Sequence, residues 1–189
     1  MDGPVKVKGV GASEGVAVGP AFVHAGEEPE RQQISEADVE EELEGFRRAV
    51  EAVVARLSET AKRLSASGNE DEAAIFEAHV ELAGDPELAS GVEERVRDLE
   101  SPEAAVLAVG EEYAELFAGM EDEYMAARAD DVRDVASQIA AELIGRGAEG
   151  LEALETPSVV VARNLAPSDT VRIPRGEALA FVTAEGSKT

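Results

Sequence analysis

Val39, Leu43, Phe46, Val50, Val53 and Leu57 recur at alternating intervals of four and three residues. This seam constrains the fold more than any other feature of the chain. Only an α-helix returns side chains to one face at that spacing, and one apolar stripe along a long helix suits near-antiparallel bundle packing. Ser35 with Asp38 resembles a capping box, and Ile34 is placed to staple onto Val39. The helical pattern continues to Gly145. Asn69 is a predicted cap for a second helix through about Ala83, Asp85-Pro86 starts a short third, and Ser101-Pro102 starts a fourth. A last helix begins near Asp122, carries Val132, Val135, Ile139 and Leu143 on one side, and ends at Gly145 and Gly147.

The segments on either side read differently. In Val5 to His24, Val5 with Val7 and Val16 with Val18 alternate with small or polar residues, which predicts two short half-buried strands. Gly11 to Gly15 predicts a turn between them. It lacks the Lys-Ser/Thr ending of a phosphate-binding P-loop and the sustained helix of a dinucleotide fingerprint. After the helices, Ser158 to Ala162 and Ala178 to Val182 are short apolar runs that predict buried strands, with a turn at Pro167-Ser168-Asp169. Strands flanking helices point to a discontinuous α/β domain, residues 1–30 with 150–189, into which a helical bundle at 34–146 is inserted. The last segment is short for a parallel sheet, which needs crossovers, so the α/β domain reads as incomplete.

Charge removes several function classes. A formal net charge of -24 in 189 residues repels nucleic acid and anionic membrane surfaces. Two readings of it stand side by side: a solvated acidic surface suited to high salt, or an acidic face that steers a basic protein partner. No apolar run is long enough to span a membrane and the start lacks signal-peptide character, so the chain reads as cytoplasmic. Cysteine is absent, which excludes disulfides, zinc–thiolate sites and thiol nucleophiles.

The side chains able to do chemistry are few. His24 closes a predicted strand and reads as an exposed edge residue. His79 lies mid-helix, where Ile75, Ala78 and Leu82 mark the predicted core side. Phe76, His79 and Val80 widen the apolar arc to roughly 200°, so that either two neighbours cover this helix or part of the arc is exposed. The acids Glu70, Asp71, Glu77 and Glu81 frame the arc as a polar rim frames a binding patch. There is no calcium-loop pattern and no His-x-x-x-His helix. No carboxylate pair stands out for glycoside hydrolysis, and Ser13, Ser168 and Ser187 lack a nucleophile-elbow setting.

Several motifs together carry a family resemblance. They are Gly9 to Ala17, Glu70 to His79 followed by Asp85-Pro86-Glu87-Leu88, the run Asp122 to Asp134 of pattern DEYxxxRxxDVRD, Leu165 to Thr170, and Phe181-Val182-Thr183. In that order they resemble the N-terminal part of enzyme I of the phosphoenolpyruvate-dependent sugar phosphotransferase system. The resemblance implies a phosphohistidine α/β domain with an inserted four-helix bundle that docks the phosphocarrier protein HPr. It implies partner-binding roles for Glu70, Asp71, an exposed Phe76, His79, Asp85 and Arg128. Thr170 matches the threonine that hydrogen-bonds the catalytic histidine. The family phosphorylates a histidine that follows a Gly-Gly-Arg-Thr-like segment. Gly186 to Thr189 matches that segment, so the phosphohistidine is expected two residues after Thr189.

Neither His24 nor His79 occupies the phosphohistidine position, and the chain alone is expected to be inactive and monomeric. The magnesium and phosphoenolpyruvate site and the dimer interface are expected in a C-terminal part. Glu72 stands where some relatives have Lys, and Ser187 replaces the second glycine. Two other readings remain: an enzyme-I-like module of a dihydroxyacetone kinase phosphorelay, and a non-catalytic acidic helical scaffold for a basic partner.

Overall fold

The computed structural model describes residues 6–24, 33–145, 154, 156–163, 165, 167–171, 173 and 176–184. At residues 123, 124, 127, 167 and 168 it describes the backbone only. The chain divides into two compact units, residues 27–150 and residues 1–26 with 151–189.

The larger unit is helical: α1 (Val39–Ala66), α2 (Glu70–Ala83), α3 (Pro86–Arg97), α4 (Pro102–Ala118) and α5 (Glu123–Leu143). Helix α1 buries Leu43, Phe46, Ala49, Val53, Leu57, Ala61 and Leu64. The seam read from sequence is therefore real and runs about two turns further than predicted. Val39 and Val50 lie at its half-buried margin. Each large side chain on it contributes roughly 1.5–3 kcal/mol by leaving water. Helix α4 packs most extensively on α5, and α1 on α2. Arginines tie neighbouring helices together: Arg56 on α1 to Glu142 on α5 at 2.8 Å, Arg47 on α1 to Glu93 on α3 at 2.8 Å, and Arg133 on α5 to Glu111 on α4 through two hydrogen bonds.

The helix ends follow local chemistry, with two corrections. Asp85 accepts hydrogen bonds from the Glu87 and Leu88 amides ahead of Pro86, a complete N-cap. Asp122 accepts from the Met125 amide in the same way. The capping box at Ser35 is not formed. The Ser35 hydroxyl instead bonds the Asp38 carboxylate at 2.7 Å, because residues 36–38 turn before the helix begins. Asn69 and Ser101 stand at N-cap positions without side-chain caps. Gly68, at φ 83°, reverses the chain between α1 and α2. Gly145, at φ 74°, follows the end of α5, while Gly147 lies outside the described residues.

In the smaller unit, β1 (Ala21–His24), β2 (Ser158–Ala162) and β3 (Ala178–Thr183) form a sheet in the order β1-β2-β3. Both pairings are parallel. Central β2 is the most buried strand, since it alone has two neighbours. Val160 packs there with Leu154, Phe22, Leu165, Ile173 and Ala178. The sheet is parallel despite the short last segment. Between β2 and β3 the described residues include one turn of helix, α6 (Pro167–Thr170), where a plain turn was predicted. The strands predicted around Val7 and Val16–Val18 are not formed. Val7, Val10, Val16 and Val18 are each at least 85% exposed, and the first strand lies at Ala21–His24. Alternation alone makes no strand where no neighbouring backbone completes the ladder. Val5 lies outside the described residues. Among the described residues no helix is long and apolar enough to cross a membrane.

Candidate functional site

The sequence placed six residues of interest on the helical unit, and the structure sorts them into four places, with Arg128 on α5 and the others on or beside α2. Glu70 and Asp71 open α2 and are exposed, and the Glu70 carboxylate accepts a hydrogen bond from the Ser65 hydroxyl. Asp85 lies beyond the far end of the same helix. At about 1.5 Å per residue, a helix of this length separates the two acidic groups by about 20 Å. Phe76 and His79 lie inside. Phe76 is 3% exposed and His79 fully buried, with ring centroids 5.8 Å apart.

The expectation of an exposed Phe76 is therefore overturned. The buried face of α2 is Ala73, Phe76, His79 and Ala83, while Ile75, predicted for the core, is 40% exposed. An apolar arc of about 200° does not mark one face, so its phase is set by what the neighbouring helices supply. Here α5 supplies carboxylates. His79 Nε2 lies 3.2 Å from Asp131 Oδ1, and Nδ1 lies 3.6 Å from Asp134 Oδ2. Neither ring nitrogen makes a hydrogen bond of good geometry. The 3.2 Å approach is thus a close polar contact out of line with the ring N–H rather than a formed bond. Asp134 is itself buried and accepts a hydrogen bond from Gln138 at 3.4 Å. Asp131 also reaches outward, where its Oδ2 accepts from Arg128 Nη1 at 3.4 Å. The Arg128 side chain is about one-quarter exposed.

Sequence reasoning assigned no role to Asp131 or Asp134, although a signal existed. Positions three apart on a helix are neighbours, so a side chain facing α5 there meets both carboxylates.

A second group of residues gathers at the ends of these helices. Leu82 of α2 with Tyr113 and Phe117 of α4 packs on Ala114, Ala129 and Val132. Burial raises the Tyr113 hydroxyl above its ordinary value, with Glu87 and Asp85 adding to the effect. The acids at the start of α3 therefore act on an aromatic ring of α4. The last turn of α4 and the residues after it leave Leu116 62% and Met120 38% exposed. This corner combines half-buried apolar side chains, exposed apolar side chains and nearby acids. That composition suits a protein-binding surface.

The remaining predicted residue, Thr170, is exposed on α6 of the smaller unit. Next to it, Asp169 lies 4.0 Å from His24 Nε2. His24 ends β1, and Ala162 and Thr183 stand level with it on β2 and β3. Both side chains are 29% exposed, so His24 is a part-covered edge residue at the carboxyl end of the parallel sheet. Ligands bind beside such ends in α/β sheets. Among the described residues no group of three or more His, Asp or Glu side chains is arranged to hold a metal ion.

Comparison with known proteins agrees with this architecture. Residues 8–128 match the family described as PEP-utilising enzyme, N-terminal. The chain is 40% identical over 186 residues to the phosphoenolpyruvate-protein phosphotransferase of Streptomyces coelicolor. It is 31% identical over 185 residues to that of Listeria monocytogenes. Each alignment covers 97% of this chain and 32% of the relative, so the chain spans about a third of the length of these curated relatives. The fold is similar to the solution structure of Enzyme I (nEIt), with a TM-score of 0.69 and 36% identity over 91% of this chain and 71% of that one. It is also similar to the N-terminal domain of Enzyme 1 - Nitrogen, with a TM-score of 0.70 and 25% identity over 94% of this chain and 73% of that one.

Proposed function

This chain belongs to the family of PEP-utilising enzymes, as their N-terminal part, and from that membership we propose that it is the partner-docking region of a phosphoenolpyruvate–protein phosphotransferase. In that reading a phosphoryl group passes from phosphoenolpyruvate to a histidine of the enzyme and then to the carrier HPr. The helical unit holds HPr while the transfer occurs. The observation that carries the reading is the corner formed by α2, α4 and α5. Exposed Leu116 and Met120 supply burial, Asp85 and Glu87 act on Tyr113 and supply negative charge, and Arg128, which precedes Ala129 of the same cluster, supplies a positive donor. A carrier with a basic, partly apolar face is steered by the acids and held by the apolar centre.

Phosphoryl transfer between proteins works mainly through positioning and charge stabilisation, and neither histidine described here suits the acceptor role. His79 is fully buried and out of reach of a partner. His24 faces the Asp169 carboxylate, which repels an incoming phosphoryl group. The reading assigns the phosphohistidine to the sequence following Thr189, with Thr170 as its hydrogen-bond partner. It assigns magnesium and phosphoenolpyruvate binding, and dimerisation, to other parts of the enzyme. By itself this stretch of chain is then a docking module without phosphotransfer activity.

An NMR titration of the isotope-labelled chain with HPr from the same organism tests the proposal. Saturable amide shifts clustered at Leu82, Asp85, Leu116, Met120 and Arg128 are expected. An absence of shifts at millimolar HPr overturns it. Equal binding of unrelated basic proteins at the same residues supports an acidic scaffold instead.

A further inference from the structure

Asp131 is met from two sides. Its Oδ1 lies 3.2 Å from the Nε2 of buried His79 on α2, in contact but out of line for a hydrogen bond, and its Oδ2 accepts from Arg128 Nη1 on its own helix. An arginine side chain has several rotatable bonds, and one carboxylate of its own helix restrains it weakly in water. The restraint strengthens when the carboxylate itself cannot turn. Here the fully buried His79 ring supplies the inner stop, with the ring set between Asp131 and Asp134 and against Phe76. A carboxylate with one oxygen packed against a buried imidazole has fewer orientations left for its other oxygen.

We infer that His79 is a positioning residue for Arg128, acting through Asp131. On this account α2 contributes to the orientation of the guanidinium on α5. The buried ring is kept for geometry rather than for phosphoryl transfer. A leucine would fill the same space but would leave the Asp131 and Asp134 oxygens facing an apolar wall. The consequence for docking rests on the reading given above, because Arg128 precedes Ala129 of the cluster at the docking corner. The geometric claim stands without that reading.

The test is the side-chain NMR signal of Arg128 in the full chain, with Arg133 as internal control. Arg133 lies on the same helix but is held by Glu111 and Asp130. In His79→Gln, the Arg128 Nε–Hε resonance is expected to shift and rotation about its Nε–Cζ bond to quicken, while Arg133 is unchanged. General loosening of the bundle moves both arginines. Asp131 is partly exposed, so Asp131→Asn provides a second variant should His79→Gln fail to fold. In Asp131→Asn the ring-nitrogen shifts of His79 are expected to change together with the Arg128 signal. A wild-type Arg128 signal in folded His79→Gln, or unmoved His79 ring nitrogens in Asp131→Asn, overturns the inference. The same samples titrated with HPr separate the two proposals. Loss of HPr binding in wild type defeats docking and leaves positioning to the arginine signals. HPr binding with an Arg128 signal indifferent to His79 defeats positioning alone.

Discussion

Gly110 of α4 passes so close to Ala136 of α5 that a Cβ at position 110 would stand 2.4 Å from the Ala136 Cβ. Neither atom belongs to a side chain that can swing away, so the helices must separate to admit a methyl group. Ala is the better helix former by about 1 kcal/mol, yet overpacking a tight contact costs about 1–3 kcal/mol. Gly110→Ala is therefore expected to be destabilising in net terms, by up to about 2 kcal/mol. Adding Ala136→Gly removes the clash and is expected to restore part of the loss. Melting curves of the single and double variants check this. Equal stability of Gly110→Ala and wild type would contradict the close approach.

Two glutamates give opposite pH dependences. Hydrogen bonds from Arg47 and then Arg97 hold the Glu93 carboxyl below its ordinary value of 4.5. The folded state then binds fewer protons than the unfolded one. The stabilisation is complete above pH 4.5 and disappears as pH falls through the lowered value. Burial, followed by repulsion from Glu103, Asp38 and Glu41, raises Glu42 above 4.5. Its charge opposes folding at neutral pH, and that penalty vanishes once pH falls below 4.5. Glu93→Gln should lower the melting temperature at pH 7 and Glu42→Gln should raise it. Both differences should shrink below pH 4.5, which a melting series over pH measures.

Leu99 ends α3 at φ 68°, a left-handed conformation that glycine usually occupies. The Glu100 amide bonds back to the Arg95 carbonyl and the Leu99 amide to the Val96 carbonyl, which makes this a Schellman turn. The left-handed state costs an ordinary residue roughly 1–2 kcal/mol, and a β-branched one more. Leu99→Val is expected to destabilise by about 1 kcal/mol or more, whereas Leu99→Gly stays near wild type because relief of strain offsets the lost side chain. Denaturant unfolding of both variants distinguishes strain from simple loss of apolar contact, which would make Gly the worse of the two.

Leu116 is 62% exposed, so Leu116→Ser should leave the fold intact, and under the proposed docking role it should weaken HPr binding about tenfold, the size of one buried apolar contact. Salt gives the complementary readout. HPr association should slow as ionic strength rises, because the acids act at long range. The fold itself, at a net charge of -24, should melt at higher temperature in molar salt as its self-repulsion is screened. A melting temperature flat in salt would argue that the acids are spaced too widely to oppose folding.

The helical block was legible because its signals are local. The α1 seam, the Asp85-Pro86 start and the Ser101-Pro102 start each lie within a few residues of the structure they specify. The β2 and β3 runs were legible as strands for the same reason, but β3, predicted to be buried, leaves Leu179, Phe181 and Val182 exposed, because continuous apolar character does not show what covers a strand. The ordered motifs carried the family, since each is a short contiguous string. The candidate site was legible only as a list. Glu70, Asp71, Asp85 and Arg128 were named, and the predicted helix from Asn69 to about Ala83 already separated the two acidic groups, but nothing local showed that Phe76 and His79 between them face inward.

By itself the sequence determined where the helices run, where they stop, and which family the chain joins, because periodicity, caps and motifs act over a few residues. Only the tertiary structure decided that α2 turns Phe76 and His79 inward, that Asp131 and Asp134 meet that ring, and that the first strand is Ala21–His24 instead of the valines before it. Those outcomes depend on partners 50 to 140 residues away in the chain. An apolar arc with no single face, or an alternating run with no neighbour, holds no local information about where such partners lie.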